Sequence, residues 1–429
     1  MQAMAPADAA MYWASQVSAN DQFLLFAFSG DEAATCAALV SEVRRRAAAI
    51  VDLHLTVETV PGDLDFPRWV PAPVSDDAIV GYPGPYTWDA VLKDVAALST
   101  RSGGDLWRVH IFDRVTGVPD ADSLARVAVL QISHALGDGR RVSAIARALF
   151  GGSLPEPARD ARVAVGDRTL AAVRGGMLVG PHLVLAAALG FAAWAAPVPE
   201  ATAAPTAATR ANTAPGDRRV LRTLTVPSKA VRSGGHSVTV GVLAVLAEVL
   251  PDVLDASRRE ARAEVTVAFG DDPGAKALAR NRFQTASVPL HADEMDRRRR
   301  AALIAAELGA VRRRVDSPGF VASRRAAASA PAVLGATAAR LSADAPQPAT
   351  VSGWTVVSSV NRGAADLTLA GGRVLFTAGF PALSAAHSLT HGVHGIGDAV
   401  TISVCAGAPI ADDVDEYVAA LSAAFAFAG

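Results

Sequence analysis

His134 and Asp138 stand four residues apart in VAVLQISHALGDGRRVSAIARALF, residues 127 to 150. An apolar run of strand character ends at Ser133, and His134 follows at its tip. Asp138 and Gly139 then open an amphipathic helix after a short loop. An imidazole at a strand end with a carboxylate one tight turn later suits a general base held by local polar contacts, with Gly139 letting the chain turn sharply. The spacing taken alone fits a hydrogen-bonded structural histidine equally well. Ser133 precedes His134 directly, so in a strand the two side chains point to opposite faces, which argues against a Ser–His nucleophile pair.

Other reactive residue types are less suggestive. His387, His391 and His394 have near-helical spacing, but Gly392, Gly395 and Gly397 would break such a helix. No acidic or cysteine ligand joins them at metal spacing, so no metal is expected. Two cysteines, Cys36 and Cys405, make neither a disulfide framework nor a cysteine zinc site and read as small buried hydrophobes. The runs Arg297–Arg300 and Arg312–Arg314 read as a solvated helix face, with CoA phosphates or an anionic bilayer as the alternative. A formal net charge of −2 argues against nucleic acid as a partner. The first thirty residues lack a basic segment followed by an apolar one, so a cytoplasmic location is expected.

The elements that must position His134 are legible in the periodicity of the chain. Strands are expected at Phe23–Phe28, Leu106–Phe112 and Ala125–Ile132, and helices at Asp31–Ile50, Trp88–Leu98 and Arg140–Phe150. Residues 61–85, rich in Pro, Gly and Asp, read as loop. Further strands are expected at Val220–Val226, Ala263–Phe269, Thr285–Leu290, Trp354–Ser359, Arg373–Ala378 and Ala399–Ala406. Helices are expected at Val240–Leu250, at Met295–Val315 with its arginines outward, and from Asp412 onward. The composition changes over 153–216, which reads as a crossover between halves at 1–152 and 217–429. Within it, the apolar Leu183–Val198, extended back to Met177, reads as a buried or channel-lining helix, an interfacial helix or a span.

The chain resembles the wax ester synthase/acyl-CoA:diacylglycerol acyltransferase family, within the superfamily of CoA-dependent acyltransferases and condensation domains. The family signature HHxxxDG appears as Ser133-His134-Ala135-Leu136-Gly137-Asp138-Gly139, and its upstream PLW as Asp105-Leu106-Trp107 followed by RVHIFD. Matches continue through SANDQFLLF, NTAPGDRR from Asn212, Asn281-Arg282, and SSVNRGAADLTLAGGRV from Ser358, in order over nearly the whole chain. The resemblance implies an α+β fold of two chloramphenicol-acetyltransferase-like halves, each a mixed sheet flanked by helices, with an active-site tunnel between them.

It also implies O-acyl transfer from acyl-CoA to a fatty alcohol or a diacylglycerol, giving wax ester or triacylglycerol, with acyl-CoA as co-substrate and no resident cofactor. His134 would be the base, and Asp138 would tie its loop down through an ion pair. Contact with a membrane surface, on the inner face or at lipid droplets, follows from the same resemblance. Two departures stand out. The first histidine of the signature is Ser133, and a TVND segment appears as Ser237-Val238-Thr239-Val240. The asparagine lost there is a candidate oxyanion donor, a role left to the Thr239 hydroxyl; losing one such donor costs ~10²–10³ in rate. A weakened member that binds acyl chains at a membrane surface is therefore the alternative.

Overall fold

The structure is a computed structural model that describes residues 2–30, 34–100, 104–156, 167–196, 204–232, 235–270, 279–342 and 347–426. The expected helix start at Asp31, the end of the apolar segment at Pro197 and Val198, and parts of the 153–216 crossover lie outside the described residues.

Two sheets organise the chain. The first is seven-stranded, running Thr368–Leu369, Gly372–Phe380, Gln22–Ser29, Ala125–Ile132, Trp107–Thr116 and Ile79–Tyr82, with Tyr86–Thr87 pairing with the end of Trp107–Thr116. The second has six strands in the order Arg219–Pro227, Ala399–Gly407, Leu389–Ile396, Thr355–Asn361, Arg262–Ala268 and Phe283–Pro289. Both are mixed: Thr355–Asn361 runs parallel to its two neighbours, and Ile79–Tyr82 and Tyr86–Thr87 run parallel to Trp107–Thr116, among otherwise antiparallel pairs. This is the expected α+β class.

Ala125–Ile132 lies centrally in the first sheet and is buried on both faces, which explains its nearly unbroken apolar sequence. Ala128, Leu130 and Ile132 pack in one cluster with Leu39 and Val43 of the helix Cys36–Ala47 and with Val142 and Leu149 of the helix Gly139–Leu149. Val127 and Val129 face the other way, toward Val91 and Val95 of the helix Trp88–Leu98 and toward Leu221 and Cys405 of the second sheet. Each such side chain stabilises the fold by about 1.5–3 kcal/mol. His134 thus follows a strand clamped from two sides. In the second sheet the helices Val238–Val253, Arg297–Val315 and Val414–Ala426 cover one apolar face.

The sheets are built across the expected 217 boundary. Gly372–Phe380 comes from late in the chain yet pairs with Gln22–Ser29 and completes the first sheet. Periodicity marks such a strand but carries nothing about its partner.

Several local expectations are corrected. Residues 61–85 contain the short strands Arg68–Pro71 and Ile79–Tyr82, too brief and too interrupted by Pro and Gly for alternation to show. Arg300 is not outward: it is 1% exposed, and its Nη1 reaches Glu248 at 2.7 Å and the carbonyl of Ala244 at 3.0 Å. The apolar segment forms a 28-residue helix, Arg168–Ala195, that is exposed over most of its surface, so the buried reading fails. Leu170, Val173, Met177, Val184, Phe191 and Trp194 all face outward. Composition reports how apolar a helix is, not whether protein covers it.

Candidate active site

The strand Ala125–Ile132 delivers the chain to Ser133, whose N–H donates to the carbonyl of Leu106 at 2.8 Å. Its hydroxyl accepts from Ala135 N at 3.2 Å, so it serves the backbone of the next turn. A single short 3₁₀ turn, His134–Leu136, follows. The sharp reversal belongs to Gly137, with φ 153° and ψ 168°, a conformation that essentially only glycine adopts. Gly139 is instead the first residue of the helix Gly139–Leu149. A β-carbon there would lie 2.9 Å from Val360 Cγ2, so its smallness serves the close approach of the second sheet.

Asp138 caps that helix. Its Oδ1 accepts from the backbone N–H groups of Arg140 and Arg141, each at 3.1 Å, and its Oδ2 accepts from Arg282 N at 3.2 Å. Its own N–H donates to the carbonyl of Arg280 at 3.2 Å. The carboxylate therefore fastens the histidine loop both to its own helix and to residues 280–282, largely through backbone donors.

Those residues hold the loop more tightly still. Asn281 Nδ2 donates to the carbonyl oxygen of His134 at 2.6 Å and to Asp8 Oδ1 at 3.0 Å. Asp8, in the first helix Pro6–Val17, also accepts from the backbone N–H groups of Arg280 and Asn281 at 3.0 and 2.9 Å. Burial lifts the Asp8 carboxyl to about 6 against these opposing hydrogen bonds. Next to it Asp52 sits between two arginines: Arg280 Nη1 at 2.6 Å and Arg141 Nη2 at 2.6 and 2.8 Å from its two oxygens. The Arg280 guanidinium lies 4.7 Å from the centre of the Trp69 ring. Removing one member of such a buried network strands the others, which fixes the loop geometry.

The His134 ring lies 5.7 Å from that of Phe283, and its Nδ1 is buried without a hydrogen-bond partner among the described residues. Burial pushes the imidazole down to about 4, opposed by the Asn281 side chain and the charge of Asp138. At neutral pH the ring is therefore unprotonated and able to accept a proton. Asn281 Oδ1 is likewise buried and unpartnered among the described residues.

His134 lines a cavity of about 990 Å³ whose walls come from both sheets. Asp138, Gly139 and Thr239 line it too, so all four residues singled out in the sequence share one cavity. Thr239 stands in the first turn of the helix Val238–Val253, where Ser237 is the cap, and its hydroxyl donates to Ser359 Oγ at 2.8 Å. Hydroxyl hydrogens rotate, so this pair can present one O–H into the cavity while the other hydroxyl accepts. Ser359 escaped sequence reasoning because a serine in an alternating strand resembles any outward polar position.

The three late histidines do not converge. His391 and His394 lie on the strand Leu389–Ile396 three positions apart, hence on opposite faces. His391 is buried against Thr355 Oγ1 at 2.8 Å and the Tyr417 hydroxyl at 2.7 Å, whereas His394 lines the cavity. His387 precedes the strand, with Nε2 3.3 Å from the carbonyl of Gly353. No group of three potential metal ligands occurs among the described residues.

No family model matches the sequence, and no curated protein is similar to it at a significant level. The fold, in contrast, has clear counterparts. The wax ester synthase/diacylglycerol acyltransferase from Marinobacter aquaeolei superposes with a TM-score of 0.64 at 17% identity, over 100% of this chain and 98% of that one. A trichothecene 15-O-acetyltransferase from Fusarium sporotrichioides gives 0.57 at 12% identity, over 100% and 94%. The starter condensation domain of rhizomide synthetase, solved with an acyl-CoA, gives 0.54 at 13% identity, over 100% and 94%. The chain therefore shares the fold of these three proteins, as the sequence resemblance implied.

Proposed function

We propose that the chain is an O-acyltransferase that moves a fatty acyl group from acyl-CoA to the hydroxyl of a long-chain fatty alcohol or a diacylglycerol. The observation that carries this reading is the neutral imidazole of His134 on the wall of a cavity shared by both sheets. His134 takes the proton of the acceptor hydroxyl as its oxygen attacks the thioester carbonyl. The Asp138 charge favours the imidazolium so formed. The tetrahedral oxyanion takes an O–H from the Thr239–Ser359 pair. Collapse expels the CoA thiolate, which recovers the proton from His134. Base catalysis of this kind contributes ~10²–10⁴-fold.

The acyl chain would occupy apolar wall supplied by Val265, Val267, Phe283 and Leu308. The acceptor is taken from a lipid surface. The helix Arg168–Ala195 presents Met177, Val184, Phe191 and Trp194 outward, yet Ala171, Ala172 and Gly175 near one end and Ala193 near the other are buried against the protein. A helix of about 42 Å anchored at both ends lies along an interface and does not cross it. On this reading the protein works at the cytoplasmic membrane face or on lipid droplets, and the exposed apolar side chains of the helix support it.

Release of CoA thiol from palmitoyl-CoA, measured with hexadecanol, dioleoylglycerol and no acceptor, tests the reading. Acceptor-dependent release supports it. Absence of release with every acceptor, alongside retained binding to lipid vesicles, would replace the enzyme with a lipid-binding protein of the same fold.

A further inference from the structure

Arg362 follows the strand Thr355–Asn361 and is only 3% exposed, yet no carboxylate meets it among the described residues. Its Nη1 donates to the Thr377 hydroxyl and to the carbonyl of Ala378 at 3.0 Å, and its Nε is buried without a partner. The Phe26 ring lies 5.2 Å from the guanidinium carbon. These neighbours supply dipoles and a π face but no net negative charge. Burial lowers the Arg362 pKa to about 9, so the group stays charged at neutral pH. A buried charge without a counter-charge is costly, and buried charges in folded proteins are ordinarily paired.

Arg362 also lines the cavity, and beside it stands His394, 5% exposed, with an unpartnered Nδ1. The two converge on Gly379, another lining residue. A β-carbon there would lie 2.6 Å from Arg362 Nη2 and 3.0 Å from His394 Nε2. Neither Nη2 nor Nε2 makes a hydrogen bond among the described residues. The missing side chain at 379 therefore leaves two unused donor positions side by side at the cavity wall. Burial, and after it the Arg362 charge, depresses the His394 ring, whereas the burial that lowers His134 is opposed by Asn281 and Asp138, so the two rings answer to different polar neighbours.

We propose that Arg362 Nη2 and His394 Nε2, over Gly379, form a subsite for a carboxylate carried by a substrate of this cavity. A single carboxylate supplies the one negative charge that Arg362 lacks, and its planar oxygens suit a guanidinium edge and an imidazole N–H. This rests on the acyl-transfer reading for the word substrate, but the binding itself does not. The carboxylate arrives either on the acceptor, as a hydroxy acid, or on the far end of a dicarboxylic acyl donor.

Calorimetry with ω-hydroxydecanoate and its methyl ester tests the acceptor arm, and sebacoyl-CoA against decanoyl-CoA tests the donor arm. In one arm the wild type should bind the acid about ten- to hundred-fold more tightly than its neutral partner. Arg362→Met should bring the two level while leaving the neutral ligand unchanged. Arg362→Gln serves if the Met variant does not fold. Equal binding of acid and neutral ligand by the wild type in both arms overturns the subsite. So does an equal weakening of both ligands in the folded variant, which would make Arg362 a structural or oxyanion-binding group. CoA thiol release separates the two readings. Binding preference without release from any acceptor leaves the subsite and defeats acyl transfer, and release without preference does the reverse.

Discussion

Asn281 donates its side-chain N–H to the main-chain carbonyl of His134 at 2.6 Å, although the two residues are separated by 147 positions in the chain. The same amide reaches Asp8 at 3.0 Å. One side chain from the loop before the strand Phe283–Pro289 thus ties the candidate base to the first helix.

Asn281→Ala should therefore act on geometry and on stability together. It frees the His134 carbonyl and removes one donor from the buried Asp8 carboxylate, a loss of about 1–3 kcal/mol. Thermal unfolding should report that drop, and thiol release should fall more than the folded fraction does. A variant of unchanged stability and rate would show that the loop is held by Asp138 alone.

Thr239 and Ser359 should behave as one unit. Thr239→Val and Ser359→Ala should each lower the rate by about 10–10³-fold, and the double variant should be little worse than the more damaging single one. Full additivity of the two losses in kcat would mean that the hydroxyls act separately.

Vesicle binding should follow the exposed apolar helix. Replacing Val184, Phe191 and Trp194 with Ser should abolish flotation with liposomes, and raising salt to 1 M should not, because apolar burial is insensitive to screening that shrinks to about 3 Å. Complete release by salt would transfer the role to exposed arginines such as Arg312 and Arg313.

The pH dependence has a definite sign. With its imidazole lowered to about 4, His134 remains unprotonated through the mildly acidic range, so kcat/KM should stay level from about pH 8 to 5 and fall only as pH drops through about 4. Stability should follow a different course. The unfolded chain protonates His134 near 6.5 and the folded one near 4, so between these values the unfolded state binds the extra proton. The contribution of His134 is thus lost as pH falls from about 6.5, His391, lowered to about 3 by burial, adds in the same direction, and Asp8, raised to about 6 by burial, opposes them as pH falls through 6. A rate profile with a midpoint near 6.5 would mean that the base is solvated in the working enzyme.

The sequence showed most of the scaffold and one pole of the site. The strand Ala125–Ile132, the helix Gly139–Leu149 and the His134–Asp138 loop were visible because apolar periodicity and a short motif lie within one stretch. What it did not show depends on long-range pairing. The insertion of Gly372–Phe380 into the first sheet, the Asp8–Asn281 tie and the meeting of Arg362 with His394 join residues whose local patterns are ordinary. Arg362 follows a strand as a solvated arginine would, and only its burial without an acid sets it apart. The helix Arg168–Ala195 shows the converse: its composition was plain, but its exposure depends on what packs beside it. Gly137 and Gly139 exchanged roles because a glycine's φ is not written in its neighbours.

The central claim is that His134 is the base of an acyl transfer, and His134→Ala tests it most directly. The side chain sits on a cavity wall outside the packed strand, so the variant should fold with near-normal thermal stability. Acceptor-dependent release of CoA thiol from palmitoyl-CoA should fall by about 10²–10⁴-fold, to the level without acceptor. Near-normal release by the folded variant would contradict the account.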